Sequence, residues 1–335
     1  MQAIVIGGTR FIGRHTVEEL LDHGYHVTLV TRGQHENPFA DHPKVTHVQG
    51  DRNDREALER ARDVIVPDIV IDCIALVPQQ VATALDVFAD VDAYVFVSSI
   101  AAYARLDLPR REDETPLEEF TVEHAVDDPR TIEPMKEWAA YGPRKAECDR
   151  VCFAAAEDGA NALVVRPTFV FGPYDYTERF DYWIDRVANY DQVLVPGDGD
   201  NLVHHVYVKD VASALRIVAE DGTPGEAYNV AARQVLTLDQ RLEHVADALD
   251  RDVEFVHASK RELSVYDLAL TNFPLVRPVP VIIDTAKLAS LGWESSPHAE
   301  AIDRTVDEHL GSDQTGRHHG PDREGERRAI DGITS

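Results

Sequence analysis

Short apolar runs alternate with stretches of helical period through the first half of the chain. Gln2-Ala3-Ile4-Val5-Ile6 is a continuous apolar run stopped by Gly7-Gly8. From Phe11 to His23 the positions Phe11, Ile12, Val17, Leu20 and Leu21 recur at helical spacing, and the pattern closes at Gly24. His26 to Val30 predicts the next strand, and Val45–Val48, Asp68–Ile71 and Ala93–Val97 follow, with helices near Arg55–Arg62 and Gln79–Ala89 between them. Continuous rather than alternating apolar strands, separated by helices, imply a parallel sheet covered on both faces. Right-handed crossovers make such an α/β sheet doubly wound.

The rhythm breaks at 104–136, a charged stretch carrying Pro109, Pro116, Pro129 and Pro134. A connection that long inside a compact domain is either functional or disordered. A helix from about Trp138 to Glu157 and a strand at Leu163–Arg166 restore the pattern, and after Gly172-Pro173 the elements shorten. These shifts divide the chain into a sheet domain at 1–171 and 205–232 and a smaller α/β substrate-binding lobe at 172–204 and 233–310. The last residues, 311–335, are rich in Gly, Arg, His and Asp without apolar periodicity, which predicts a disordered tail.

Composition narrows the class. The chain has 335 residues, 44% of them hydrophobic, enough for a sizeable core. Its 33 basic and 60 acidic residues leave a net charge of −27, the wrong sign for phosphate backbones or anionic membrane surfaces. No apolar run approaches the roughly 20 residues that span a bilayer. Cys73, Cys148 and Cys152 have no zinc-ligand spacing and read as free thiols of a reducing cytoplasm. Lysines occur only at 44, 136, 145, 209, 260 and 287, so 33 − 6 = 27 of the basic residues are Arg. An acid-rich, lysine-poor surface suits a halophilic cytoplasm, where molar salt screens self-repulsion beyond about 3 Å.

Gly7-Gly8-Thr9-Arg10-Phe11-Ile12-Gly13 joins the first strand to the first helix. A tight turn there lets backbone N–H groups reach a pyrophosphate at the helix N-terminus, with Gly7 making the turn and Gly13 allowing close packing. The second strand ends Thr31-Arg32, where NAD-specific proteins carry an acid for the ribose 2′-OH. Guanidinium groups at Arg32 and Arg10 suit a 2′-phosphate instead. NADP(H) is therefore expected over NAD(H), which stays possible. Gly50-Asp51, after the third strand and with Asp54, resembles the adenine-contacting GDxxD segment of a dinucleotide-binding family, a helix cap being the alternative for Asp51, and Ala75 after the fourth strand falls where backbone contacts to the cofactor usually occur. Tyr141-Gly142-Pro143-Arg144-Lys145 sets a phenol and an ammonium one helical turn apart. The ammonium favours the phenolate, which makes Tyr141 a general acid/base for a carbonyl or alcohol. Pro143 is tolerable if the helix starts near Tyr141. Val97-Ser98-Ser99 ends the fifth strand, placing Ser99 at a carboxyl edge where it can bond a substrate oxygen.

With these motifs the chain resembles the extended short-chain dehydrogenase/reductases, the group of NAD-dependent epimerase/dehydratase proteins built on a Rossmann sheet. It is similar in particular to the branch bearing GGTRFIG that includes chloroplast stem-loop-binding-like proteins. Arg166-Pro167 with Gly172-Pro173, the 205–212 segment and Tyr228-Asn229-Val230 match further family segments. The resemblance implies a catalytic set of Ser99, Tyr141 and Lys145, with Lys145 also holding the nicotinamide ribose, and a possible homodimer. Phe169 and Val203 stand where nucleotide-sugar epimerases commonly carry Asn and Arg for a diphosphate. The aromatic residues from Phe169 to Trp183 are candidates for a substrate pocket or for lobe core. Glu112 and Asp113 are candidate extra acid/base groups. The sequence thus predicts an oxidoreductase or epimerase-type enzyme with a small-molecule substrate and no metal. Its alternatives are a nucleotide-sugar epimerase or dehydratase, and a non-catalytic cofactor-binding regulatory or RNA-associated protein.

Overall fold

The computed structural model describes residues 1–104, 107–132 and 137–335. Its first elements are β1 (Gln2–Ile6), α1 (Phe11–Asp22), β2 (His26–Thr31), β3 (Val45–Gln49), α2 (Arg55–Ile65), β4 (Ile69–Asp72), α3 (Pro78–Val87), β5 (Ala93–Val97), α4 (Trp138–Glu157) and β6 (Ala162–Pro167). There follow β7 (Phe169–Phe171), α5 (Asp181–Asn189), β8 (Gln192–Pro196), β9 (His205–Tyr207), α6 (Val208–Asp221) and β10 (Ala227–Val230). The chain ends with α7 (Leu238–Ala248), β11 (Glu254–Ala258), α8 (Lys260–Val265), α9 (Ala286–Ala289), α10 (His298–Leu310) and α11 (Arg323–Thr334).

Two compact units share these elements: Met1–Thr168, Val208–Ala231 and Ile283–Glu294 form one, and Phe169–Tyr207, Ala232–Ile282 and Ser295–Ser335 the other. The first holds a seven-stranded, wholly parallel sheet in the order β10-β6-β5-β4-β1-β2-β3. Its central strands are apolar because both faces are covered. Ile4, Ile6, Val70 and Phe96 pack with Leu58 of α2, Val81 of α3 and Cys148 of α4. The alternate residues face the side on which α1 and α6 pack. β3 is one of the two edge strands and is polar, with Thr46, His47 and Gln49 exposed. The order reverses between β1 and β4, so the turns after those strands open at one carboxyl edge, the usual position for a bound ligand.

The second unit pairs β7 with β9 and β8 with β11, both parallel, and packs α7 against α5 and α10. Phe171, Phe180, Tyr182 and Trp183 are core here, while Phe169 is half-buried and Tyr174 and Tyr176 are exposed.

Three sequence expectations change. The 311–335 tail is folded. Asp322 caps α11 by accepting from Gly325 N, and Glu326, Ala329 and Ile330 are buried. Its charge conceals an amphipathic helix, because Glu326 is itself a core residue that accepts from Arg186 Nε at 2.8 and 2.9 Å. Residues 283–294 belong with the sheet unit rather than the lobe. And Pro143 is not at the start of its helix: α4 spans Trp138–Glu157 as its pattern predicts, so Pro143 lies inside it and leaves the Ala139 carbonyl without its helical donor. The described part of 104–136 is tied down rather than loose. Tyr103 bridges Leu117, Glu118 N donates to Ala102 O, and Arg144 Nε donates to His124 O at 2.7 Å. Pro134 lies outside the described residues.

Candidate active site

The turn after β1 is as tight as its glycines allow. Gly7 adopts φ +92°, and a Cβ at Gly13 would fall 1.9 Å from the Gly7 carbonyl oxygen. Only a glycine at position 13 lets α1 start this close to the strand. Phe11, the first residue of α1, has φ +37°, a strained value for a side-chain-bearing residue. Arg10 at the N-cap makes no side-chain cap hydrogen bond to the first turn of α1. This cradle fits a dinucleotide pyrophosphate. Thr9 and Arg10 line an open pocket beside it with Arg14, His35, Glu36 and Pro38, and Arg10 Nη1 lies 3.2 Å from His35 Nε2. Arg32 is exposed and is not among that pocket's lining residues, and its carbonyl accepts from Gln49 Nε2 at 3.1 Å. Arg14 and His35 were not anticipated. Arg14 was detectable one turn beyond Arg10, but nothing local marks His35.

Asp51 follows β3 and accepts from both Asn53 N and Asn53 Nδ2 at 2.8 Å. The cap of α2 is Asp54, which accepts from Glu56 N, so Asp51 is not the cap.

Ser99 follows β5 and caps the short 3₁₀ turn Ile100–Ala102, its Oγ accepting from Ala101 N at 3.2 Å. α4 reaches this turn because Gly142 has no side chain: a Cβ there would lie 2.4 Å from Ala101 O. The contact brings the half-buried Tyr141 to the turn that follows Ser99, and the exposed Trp138 meets the Tyr141 ring edge-on at 5.4 Å. One turn further along α4, the buried Lys145 donates from Nζ to Ala75 O at 2.7 Å and to Val97 O at 2.8 Å. The same nitrogen lies 4.6 Å from the Phe96 ring centroid and 5.8 Å from that of Tyr141. The lysine thus ties together the carboxyl ends of two adjacent strands.

Behind it, buried Arg166 donates to Asp149 and to Tyr103 OH, each at 2.9 Å, and Tyr103 OH donates to Asn229 at 2.7 Å. Glu112 accepts from Asn229 N at 2.8 Å, and burial raises its carboxyl pKa. Asp113 meets Lys287. Both acids thus have partners within this framework. Burial also pushes the Cys73 thiol up to about 12, so it stays a thiol. Among the described residues no group of three potential ligands is placed to hold a metal ion. Among the same residues no helix is long and apolar enough to cross a membrane.

A wholly parallel, Rossmann-like sheet with a tight glycine turn at its switch point is the fold class of the short-chain dehydrogenase/reductases. Residues 3–231 match the model of the NAD dependent epimerase/dehydratase family, and the chain belongs to that family. It is 26% identical to the low-salt glycan biosynthesis protein Agl12 of Haloferax volcanii, over 94% of this chain and all of that one. It is 24% identical to a chloroplast stem-loop binding protein of Arabidopsis thaliana, over 77% of this chain and 66% of that protein's length. The fold is shared with the NAD-bound dTDP-glucose 4,6-dehydratase of Bacillus anthracis, with a TM-score of 0.71, 21% identity, and 95% and 99% of the two chains covered.

Proposed function

We propose that this chain is an NAD(P)-dependent oxidoreductase or epimerase-type enzyme acting on a carbonyl or alcohol carbon. The observation that carries the reading is the placement of Lys145, Tyr141 and the Ser99 turn at one carboxyl edge, beside a cradle that only glycine permits. Gly7, Thr9, Phe11, Ile12 and Gly13 would hold the pyrophosphate, Asp51 the adenine end, and Ala75 and Lys145 the nicotinamide end. When bound, the nicotinamide supplies hydride transfer. Tyr141 exchanges a proton with the substrate oxygen, and Ser99 orients that oxygen by hydrogen bonding. Two of the three Lys145 N–H bonds are taken by carbonyls, leaving one for a ribose hydroxyl.

NADP(H) is the proposed preference, with NAD(H) still accepted, on the strength of Arg10 and Arg32 and the absence of an acid at Thr31. The halophile relative and the acid-rich composition support a cytoplasmic protein of a saline cell, and a homodimer is part of the same proposal.

A nucleotide-sugar dehydratase or epimerase is the second reading, favoured by a feature of the smaller unit. There Arg277 lies 4.9 Å over the Phe169 ring, and its pKa is lowered by burial and by the charge of Arg179. Two guanidinium groups near an aromatic ring suit a nucleoside diphosphate. Relatives named as dTDP-glucose 4,6-dehydratases point the same way.

The test is a fluorescence titration with NADPH and NADH, followed by screening of dTDP- and UDP-sugars for turnover. Tyr141→Phe should bind cofactor normally and lose turnover by about 10²-fold or more. Unchanged turnover in that variant would sink the assignment.

A further inference from the structure

Lys145 is aimed by a segment that has no slack. Every backbone N–H from Cys73 to Val77 has a partner: Cys73 donates to Ile6 O at 3.1 Å, and Ile74 and Ala75 donate to Asp72 Oδ1 at 3.2 and 3.1 Å. Leu76 and Val77 donate to Gln80 Oε1 at 2.7 and 3.3 Å. Two side chains therefore hold four consecutive amides, and the carbonyl they leave aimed at α4 is Ala75 O, the Lys145 acceptor.

Both side chains also reach back to the loop after β3. The other Asp72 oxygen takes the Arg52 guanidinium and Tyr94 OH, and Gln80 Nε2 donates to Asn53 Oδ1 at 2.7 Å. Arg52 and Asn53 flank each other directly after Asp51, whose carboxylate holds Asn53. Asp72 is fully buried, and Nε and Nη1 of Arg52 are buried without a partner. Spending a buried, incompletely satisfied guanidinium on this carboxylate is a poor route to stability.

We infer that Asp72 and Gln80 are positioning residues, which fix the 73–77 backbone so that Ala75 aims Lys145, with Arg52 and Asn53 holding the two side chains in place from outside. The inference rests on the reading of Lys145 as the group that holds the nicotinamide ribose.

Asp72→Asn is the direct variant but strands Arg52, so Gln80→Met, which removes the second set of bonds, carries the test. Binding is measured by calorimetry with NADP+ and with adenosine 2′,5′-bisphosphate, which probes the adenine half alone. Gln80→Met should weaken NADP+ by about tenfold, the scale of one charge-assisted hydrogen bond, and the bisphosphate by less than about twofold. Gln80→Glu keeps an acceptor oxygen for the Leu76 and Val77 amides, though not the donor to Asn53, and should bind NADP+ like the parent. In a Lys145→Met background Gln80→Met should have no further effect, because the two act through one contact. Equal losses on both ligands, or additive losses in the double variant, would overturn the inference alone. Unchanged NADP+ affinity in Lys145→Met would overturn the parent reading and the inference with it.

Discussion

Replacing Gly13 with Ala puts the pyrophosphate cradle under direct strain. The new Cβ would sit 1.9 Å from Gly7 O where ordinary contact begins at 3.4 Å, so α1 and the turn must part by about 3.4 − 1.9 = 1.5 Å. Overpacking of that kind costs about 1–3 kcal/mol of stability. It also carries the first-turn N–H groups out of reach of a pyrophosphate, and each such bond to a charged acceptor is worth about 1.5–3 kcal/mol. Losing two weakens NADPH by roughly a hundredfold or more. Gly24→Ala is the control. It lies in the same unit at φ +85° with nothing within 4 Å of its Cβ, so it pays backbone strain of about 1 kcal/mol without touching the turn. NADPH fluorescence titration is read alongside the thermal melt of each variant. If Gly13→Ala melts like Gly24→Ala and binds NADPH within about threefold of the parent, the cradle is not where the dinucleotide sits.

Glu326→Ala should destabilise the smaller unit by about 3–5 kcal/mol, since it leaves Arg186 buried without that carboxylate, and chemical denaturation checks it. Burial lowers His204 to about 4 and His205 well below its usual value. Unfolding lets both take up protons near pH 6.5, so stability present above that pH is lost as pH falls toward 4. Asp175, raised by burial to about 6, opposes this in part. Melting temperatures at pH 7 and pH 5 should therefore differ less in His205→Phe than in the parent. Arg10→Ala should cost more of the NADPH-over-NADH preference than Arg32→Ala, because Arg10 lines the pocket beside the cradle and Arg32 does not. Paired binding titrations decide it.

The parallel sheet, its crossover helices and the Gly7–Gly13 turn were legible in the sequence because each rests on local period and backbone permission. Apolar runs make central strands, and a glycine spacing either fits a tight turn or does not. Tyr141 and Lys145 were legible for the same reason, since one helical turn sets their face. What lies far apart in the chain was decided only by packing. Gly142 read as an ordinary helix residue until Ala101 O stood 2.4 Å from its missing side chain. His35 gained meaning from Arg10, and Glu112 found its partner in the Asn229 amide. Asp72 ends an apolar strand, yet only the folded chain shows it gathering Arg52, Tyr94 and two backbone amides. The folded tail was hidden by charge, because a buried Glu326 looks like surface until Arg186 is seen against it. Local pattern encodes which backbone conformations are permitted, whereas partners for buried polar groups exist only once distant segments have met.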